Sequence, residues 1–371
     1  LENKKIRIVH ILYHYYKSDA RVKAYCNYLA KNNYDVTVLD CDFFSIKKVQ
    51  GKNFLSLLKH YLIFLLKSSV YLIKNRNIKI IHVNNLPNFL VFAGLFNKIF
   101  FSAKLILDNH DIMPLAFTEK SKSKSIEKLT FIEQNLSMKF ADKVICADHN
   151  QMKYLIDCGI SEKKITPILN VANSDIFKKS DIIRDDKEFR LIYHGTISHR
   201  LGIDLVLRAL KIASSKEKNI KFYLIGEGEF LDEIKKMISE LSLETNVVLT
   251  DKFVPVEKLS EIISQTDAGI IGNRTTSLSD YMLPVKLLEY VYMAKPVIAP
   301  ANNIIKRYFT DDMLCFYKPE NVEDMAEKIL SLYYDKDKGK CYAEKAFKFT
   351  ELYNYQTEMK KYQEVVNSLL M

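Results

Sequence analysis

Short runs rich in Val, Ile, Leu, Phe and Tyr recur along the whole chain, and between them lie longer stretches whose apolar positions return every three or four residues. The first pattern is that of a buried strand and the second that of a helix with one apolar face, so their alternation predicts βαβ units wound around parallel sheets. In the first half the predicted strands are residues 6–12, 35–39, 78–83, 104–107, 143–147 and 164–169. In the second half they are 189–194, 220–225, 246–250, 268–271, 296–299 and 313–317. Each half has enough strands for one doubly wound sheet. Residues 179–188 are charged and lack helical periodicity, which marks them as a hinge between a first domain at 1–178 and a second at 189–342. The remainder, 343–371, sets Phe347, Leu352, Tyr355, Met359, Tyr362 and Val366 at spacings that predict a helical segment with one buried face.

A length of 371 residues with 48% hydrophobic content exceeds one ordinary core and fits two domains. The net charge of +10 points to an anionic partner, whether nucleic acid, a membrane surface or a phosphorylated ligand. No nucleic-acid recognition motif accompanies the charge. Gly-x-Ser-x-Gly, His-Glu-x-x-His and P-loop patterns are missing too, so hydrolase and NTPase chemistry lacks support. The cysteines (Cys26, Cys41, Cys146, Cys158, Cys315 and Cys341) have no Cys-x-x-Cys spacing, which argues for a reducing compartment and against zinc. Neither a signal peptide nor an unbroken apolar span of about 20 residues is visible, so a cytoplasmic location is expected. The nearest approach to a span, residues 54–73, is interrupted by Lys59, His60 and Lys67. Apolar length with basic punctuation fits a helix lying on an anionic membrane, and fits an interior helix of an α/β domain as well.

In open parallel sheets ligands bind beyond the carboxyl ends of the strands, so the loops there are where chemistry is sought. The run Leu283-Pro284-Val285-Lys286-Leu287-Leu288-Glu289-Tyr290 reads as a helix start, with Pro284 suited to the first turn. A cation in that turn opposes the helix dipole by about 0.3–1 kcal/mol, so an anion at the helix end would explain Lys286. Glu289 lies three residues on, where it either pairs with Lys286 or holds a sugar hydroxyl. After strand 189–194, Gly195 lets backbone approach a ligand, while Thr196, Ser198 and Arg200 supply donors suited to a diphosphate; the alternative is a polar turn with a helix cap. Gly226 and Gly228 form a Gly-x-Gly turn after the next strand, and Phe253 with Val254 offers an apolar slot for an aromatic ring.

The first half carries less explicit signals. His14 to Val22 lacks the glycines of a dinucleotide fingerprint; Ser18 or Asp19 can cap the helix that follows, and Arg21 in its opening turn again suggests an anionic neighbour. Asp108-Asn109-His110-Asp111 follows the fourth strand, and two carboxylates can orient the imidazole between them. Asp40-Cys41-Asp42 is an Asp-x-Asp that could hold a metal, but its place after the second strand favours a solvated loop.

The succession of phosphate loop, Gly-x-Gly turn, base-cradling loop and Pro-x-Lys-x-x-Glu helix resembles family 4 of the retaining GT-B glycosyltransferases over nearly the whole chain, most strongly across residues 189–300. The resemblance implies an α/β fold of two Rossmann-like domains facing across a cleft, with a C-terminal helix crossing back to the first. It implies transfer of a sugar from a nucleotide-diphosphate donor such as a UDP-sugar to a glycan or lipid-linked acceptor in bacterial surface polysaccharide synthesis, without metal or other cofactor. Peripheral contact with an anionic membrane is expected, and no nucleic acid. Carried over residue by residue, Arg200 and Lys286 face the leaving diphosphate, Glu289 the ribose and His110 the transferred sugar. Gly195, Thr196, Gly226, Phe253, Val254, Leu283, Pro284 and Val285 surround the rest of the donor, and His14, Asp19, Arg21 and Asp111 lie on the acceptor side. The family's first glutamate falls on Tyr281, next to Asp280, which is a departure. A nucleotide-sugar epimerase of the same fold, or a non-catalytic partner of a transferase, are the alternatives.

Overall fold

Strands form where the apolar runs lie. The computed structural model describes residues 5–47, 54–120, 124–179, 184, 186–252 and 254–371. It divides into two compact units, Leu1–Asn170 with Gln356–Met371, and Val171–Tyr355. In the first unit the strands are β1 (Arg7–Leu12), β2 (Asp35–Leu39), β3 (Ile78–Asn84), β4 (Lys104–Asn109), β5 (Lys143–Cys146) and β6 (Ile165–Pro167). They pair in the order β2-β1-β3-β4-β5-β6, every pair parallel. Helices cover both faces of such a sheet, which is why its strands read as continuous apolar runs rather than as alternations. Val9, Ile81, Leu105 and Val144 on neighbouring strands are fully buried.

The second unit repeats the plan with β7 (Phe189–His194), β8 (Ile220–Ile225), β9 (Val247–Thr250), β10 (Ala268–Ile270), β11 (Val297–Pro300) and β12 (Cys315–Tyr317), ordered β12-β11-β10-β7-β8-β9 and again parallel. Strand order reverses between β1 and β3 in one sheet and between β7 and β10 in the other. Crevices for ligands open at such switch points, beyond the carboxyl ends of the strands.

Two expectations change. Residues 343–371 are not one helix: Lys336–Phe347 and Phe349–Leu352 belong to the second unit, and only Tyr355–Asn367 lies mostly in the first. The break follows from Tyr353, which takes an extended conformation (φ −121°, ψ 90°). The last helix is anchored by Tyr362, whose hydroxyl lies 2.9 Å from His82 Nδ1 and whose ring stacks on Tyr25, and by buried Glu358, which accepts from Leu169 N at 2.8 Å. The second change concerns Phe54–Lys74. Among the described residues it is the one helix long and apolar enough, by length and composition, to cross a membrane, because its three lysines are spread along it. Its Phe64, Ser68 and Leu72 are nevertheless fully buried in the first unit's core.

Candidate functional site

The second unit builds its site at the β7/β10 switch point. β7 ends at His194, and the chain turns through Gly195 (φ 108°) and Thr196, both exposed, into the short 3-10 turn His199–Leu201 and the helix Ile203–Lys216. Tyr193 lies beneath and donates its hydroxyl hydrogen to the Thr196 carbonyl at 2.7 Å, fixing the turn from inside. Gly226, after β8, has φ 148°, and a Cβ there would fall 1.8 Å from the Gly195 carbonyl oxygen. Its lack of a side chain lets one loop seat on the other; Gly195 N donates to Ile225 O and Ile197 N to Glu227 O, each at 2.9 Å.

The helix Val285–Tyr292 brings in the cation. Pro284 stands one place earlier than the first turn, as the N-cap residue, and it is buried. Lys286 folds back over the turn: its Nζ sits 4.6 Å from the Tyr193 ring centroid, and its Cε would lie 3.6 Å from a Cβ placed on Gly195. Burial pulls this ammonium down to about 8; Glu289 opposes the fall and the Arg200 charge adds to it. Arg200 itself is exposed on the 3-10 turn, its Nη1 3.9 Å from Met282 Sδ. Among the described residues neither cation has a carboxylate within 4.0 Å.

Glu289 is buried, and its Oε2 lies 3.1 Å from His194 Nε2 rather than against Lys286. The local Lys–Glu pair on one helix face therefore does not form. His194, missed as a site residue although it opens the loop motif, packs edge-on to Tyr290 at 5.3 Å. A histidine closing a strand just before a glycine was the available signal. Arg274 and Asp204 were also missed. Their bidentate pair (2.8 and 2.6 Å) fastens the loop after β10 to the helix at Ile203, and Arg274 Nη1 also donates to His199 O. Leu283 and Val254 are half-buried and Val285 is exposed at the helix start. Phe253 lies outside the described residues. Tyr281, where the family's first glutamate would fall, is part of the 3-10 turn Ser279–Tyr281.

The first unit sorts its candidates differently. Asp19 is the N-cap of helix Ala20–Lys31 and accepts from Val22 N at 2.9 Å. Arg21, expected to face an acceptor, is buried. Its Nε and Nη2 donate to the two oxygens of fully buried Asp108 (2.8 and 3.2 Å), and its Nη1 donates to Ile168 O. Burial works against its charge, but Asp108 outweighs this and holds the guanidinium firmly cationic. His110, part-exposed, has Nδ1 3.9 Å from Asp108 Oδ1, beyond hydrogen-bond reach. The loop of His110 and Asp111 is gripped by Asn85, another residue sequence reasoning missed. Its Oδ1 accepts from His110 N and Asp111 N, and its Nδ2 donates to Asp111 O at 2.6 Å. His14 Nδ1 accepts from Tyr15 N at 2.8 Å within the loop after β1. Asp40 takes amide hydrogens from Tyr16 and Phe43, so its carboxylate closes a turn.

Two family models cover these residues. One, described as glycosyl transferases group 1, matches residues 174–349 and so the Gly195 turn, Lys286 and Glu289; the other, described as Glycosyltransferase Family 4, matches 20–175 and so Arg21, Asp108 and His110. The chain belongs to the family 4 glycosyltransferases. This glycosyltransferase is 31% identical over 133 residues to the poly(ribitol-phosphate) α-N-acetylglucosaminyltransferase of Staphylococcus aureus, an alignment that covers 35% of the chain and only 25% of that relative. In fold it is similar to the sucrose-phosphate synthase of Thermosynechococcus elongatus (TM-score 0.78, 14% identity, 99% of each chain). It is also similar to Anabaena HepE in complex with UDP and glucose (TM-score 0.75, 16% identity, 98% of this chain and 100% of that one). Both are likenesses of a two-unit GT-B architecture.

Proposed function

We propose that this protein transfers a hexosyl group from a nucleotide-diphosphate sugar, UDP-linked as in the HepE complex, with retention of the anomeric configuration. The observation that carries the proposal is the pair of cations without carboxylate partners, Lys286 and Arg200, beside the exposed Gly195–Thr196 backbone at a topological switch point. Negative charge grows on the departing diphosphate as the sugar bond breaks, and fixed cations in a partly desolvated site stabilise that charge without reorganising. Lys286 and Arg200 supply it, with the N-terminal end of the helix at Val285 adding its dipole. No metal is then needed to neutralise the leaving group. Glu289, beside His194, accepts hydrogens from the ribose hydroxyls, and His110 faces the transferred sugar.

The net charge of +10 suits a polyanionic acceptor, and the staphylococcal relative acts by its name on a poly(ribitol-phosphate). A phosphate-rich or lipid-linked surface polymer, met at the cytoplasmic side of the membrane, is the acceptor class proposed here. Thermal shift with nucleoside diphosphates tests the donor site, since a ligand at 100 times its Kd raises stability by about 2.7 kcal/mol. UDP is expected to give the largest shift, and transfer from its sugars to proceed unchanged in chelator. Indifference to every nucleoside diphosphate would sink the donor site; activity lost to chelator and restored by magnesium would sink metal independence. Isomerised donor formed without acceptor would favour the epimerase instead.

A further inference from the structure

Twelve of the twenty exposed large apolar residues among those described lie on three segments of the first unit. The helix Phe54–Lys74 contributes Leu62, Ile63, Leu66 and Val70; the first, third and fourth of these recur every fourth residue along one outer stripe. The helix Leu95–Phe101 adds Leu95, Phe96, Ile99 and Phe100 in barely two turns. From Lys124–Phe140 come Leu129, Phe131, Ile132 and Leu136. Leu66, Phe100 and Leu136, one from each helix, are 64%, 67% and 57% exposed, so these are outward side chains rather than the rim of a core.

The three segments are neighbours. Asn97 Nδ2 donates to Leu72 O at 2.9 Å, joining the second to the first, and Lys98 Nζ donates to Phe140 O at 2.7 Å, joining it to the third. Glu133 of the third takes Asn88 Nδ2 and Phe89 N, just ahead of the second. Twelve exposed apolar side chains on three neighbouring segments are far from the scattered single residues normal on a monomer.

Charge decides what covers it. The three helices carry seven lysines against two glutamates, and Glu133 is engaged inward. Lys59, Lys74, Lys124, Lys128 and Lys139 are exposed, with Glu127 the exposed acid among them. A second copy of this chain would set lysines against lysines across a symmetric interface. A bilayer with anionic headgroups meets both features, taking apolar side chains into its interface and lysines at its surface. The helix Phe54–Lys74 cannot leave the domain to span, because its inner face is core.

We infer that the outward faces of these three helices are a docking surface for an anionic lipid bilayer, on which the first unit lies peripherally. The inference deepens the membrane-side placement of the acceptor proposed above and rests on it. Flotation of the full chain with vesicles of phosphatidylcholine alone, or with about one third phosphatidylglycerol, tests it. Binding about tenfold or more stronger to the anionic vesicles, weakened by salt, is expected. The triple variant Leu66→Ser, Phe100→Ser, Leu136→Ser should lose it while keeping its melting temperature and its UDP shift. Should that variant misfold, the charge reversal Lys74→Glu, Lys128→Glu, Lys139→Glu serves instead. Equal binding to neutral vesicles, no binding, or binding that survives both variants would overturn the inference. So would a dimer, seen in sedimentation, that the triple variant breaks. Because the UDP shift is read on the same samples, loss of the donor site and loss of the membrane surface are told apart.

Discussion

Lys286 titrates where experiment can reach it, and that gives the donor site its sharpest test. An ordinary lysine, at 10.5, stays protonated across pH 7 to 9, whereas Lys286 is pulled down to about 8 by burial. If the diphosphate binds only the ammonium form, the competent fraction falls from about ten-elevenths at pH 7 to about one-eleventh at pH 9. The apparent Kd for UDP should therefore rise about tenfold over that interval, or about 1.4 kcal/mol, while a diphosphate, ionised throughout, adds no slope of its own. Isothermal titration at half-unit steps of pH measures it. Lys286→Met should bind weakly with a flat profile, and Lys286→Arg, if it fits, should bind with a flat profile as well because a guanidinium keeps its proton. The stability of the free protein moves the other way. Between about 8 and 10.5 the unfolded chain holds the proton that the folded one has lost, so this residue's contribution to stability rises with pH. A wild-type Kd that is level from pH 7 to 9, or a slope that persists in Lys286→Met, would refute the assignment.

Two further substitutions separate scaffold from site. Gly226→Ala puts a Cβ into the Gly195 carbonyl at 1.8 Å with φ at 148°, and should cost more than the roughly 1–3 kcal/mol of backbone strain alone and weaken UDP binding; Gly159→Ala, also at positive φ but with nothing within 4 Å, should cost strain only and leave binding intact. Urea unfolding and titration of both variants would show whether the two loops depend on each other. Arg21→Met leaves Asp108 buried without its partner and should lose about 3–5 kcal/mol in urea unfolding, with Arg21→Met/Asp108→Leu recovering most of it. Full stability with a raised acceptor KM would restore Arg21 to the acceptor side.

What was legible in the chain is what is periodic or local. All twelve strands lie within the predicted runs or a residue or two beyond them, because strands buried on both faces leave an uninterrupted apolar signature. Lys286 announced itself through one local conflict, a cation in an opening helical turn. The pairings that give each side chain its role were not legible. Arg21 meets Asp108, Glu289 meets His194 and Arg274 meets Asp204 across separations that no window along the chain spans. Arg21 and Lys286 carry the same local signal, a basic residue at a helix start, yet only the fold says which one already has its anion.

That difference is the physical basis for proposing that the second unit holds the leaving diphosphate. Arg21 and Arg274 are each held bidentate by an aspartate, and both are kept charged by it. A ligand at either cation would have to displace a carboxylate already in place. Lys286 is half-buried over the Tyr193 ring but among the described residues has no such carboxylate within 4.0 Å, and burial lowers its proton affinity. The Arg200 charge lowers it further. An anion bound between the two offsets their repulsion, and it gains most where its own charge is largest. A leaving diphosphate carries more charge in the transition state than the intact donor does, so two cations set beside it favour the transition state over the substrate. Removing Lys286 should consequently lower kcat as well as donor affinity.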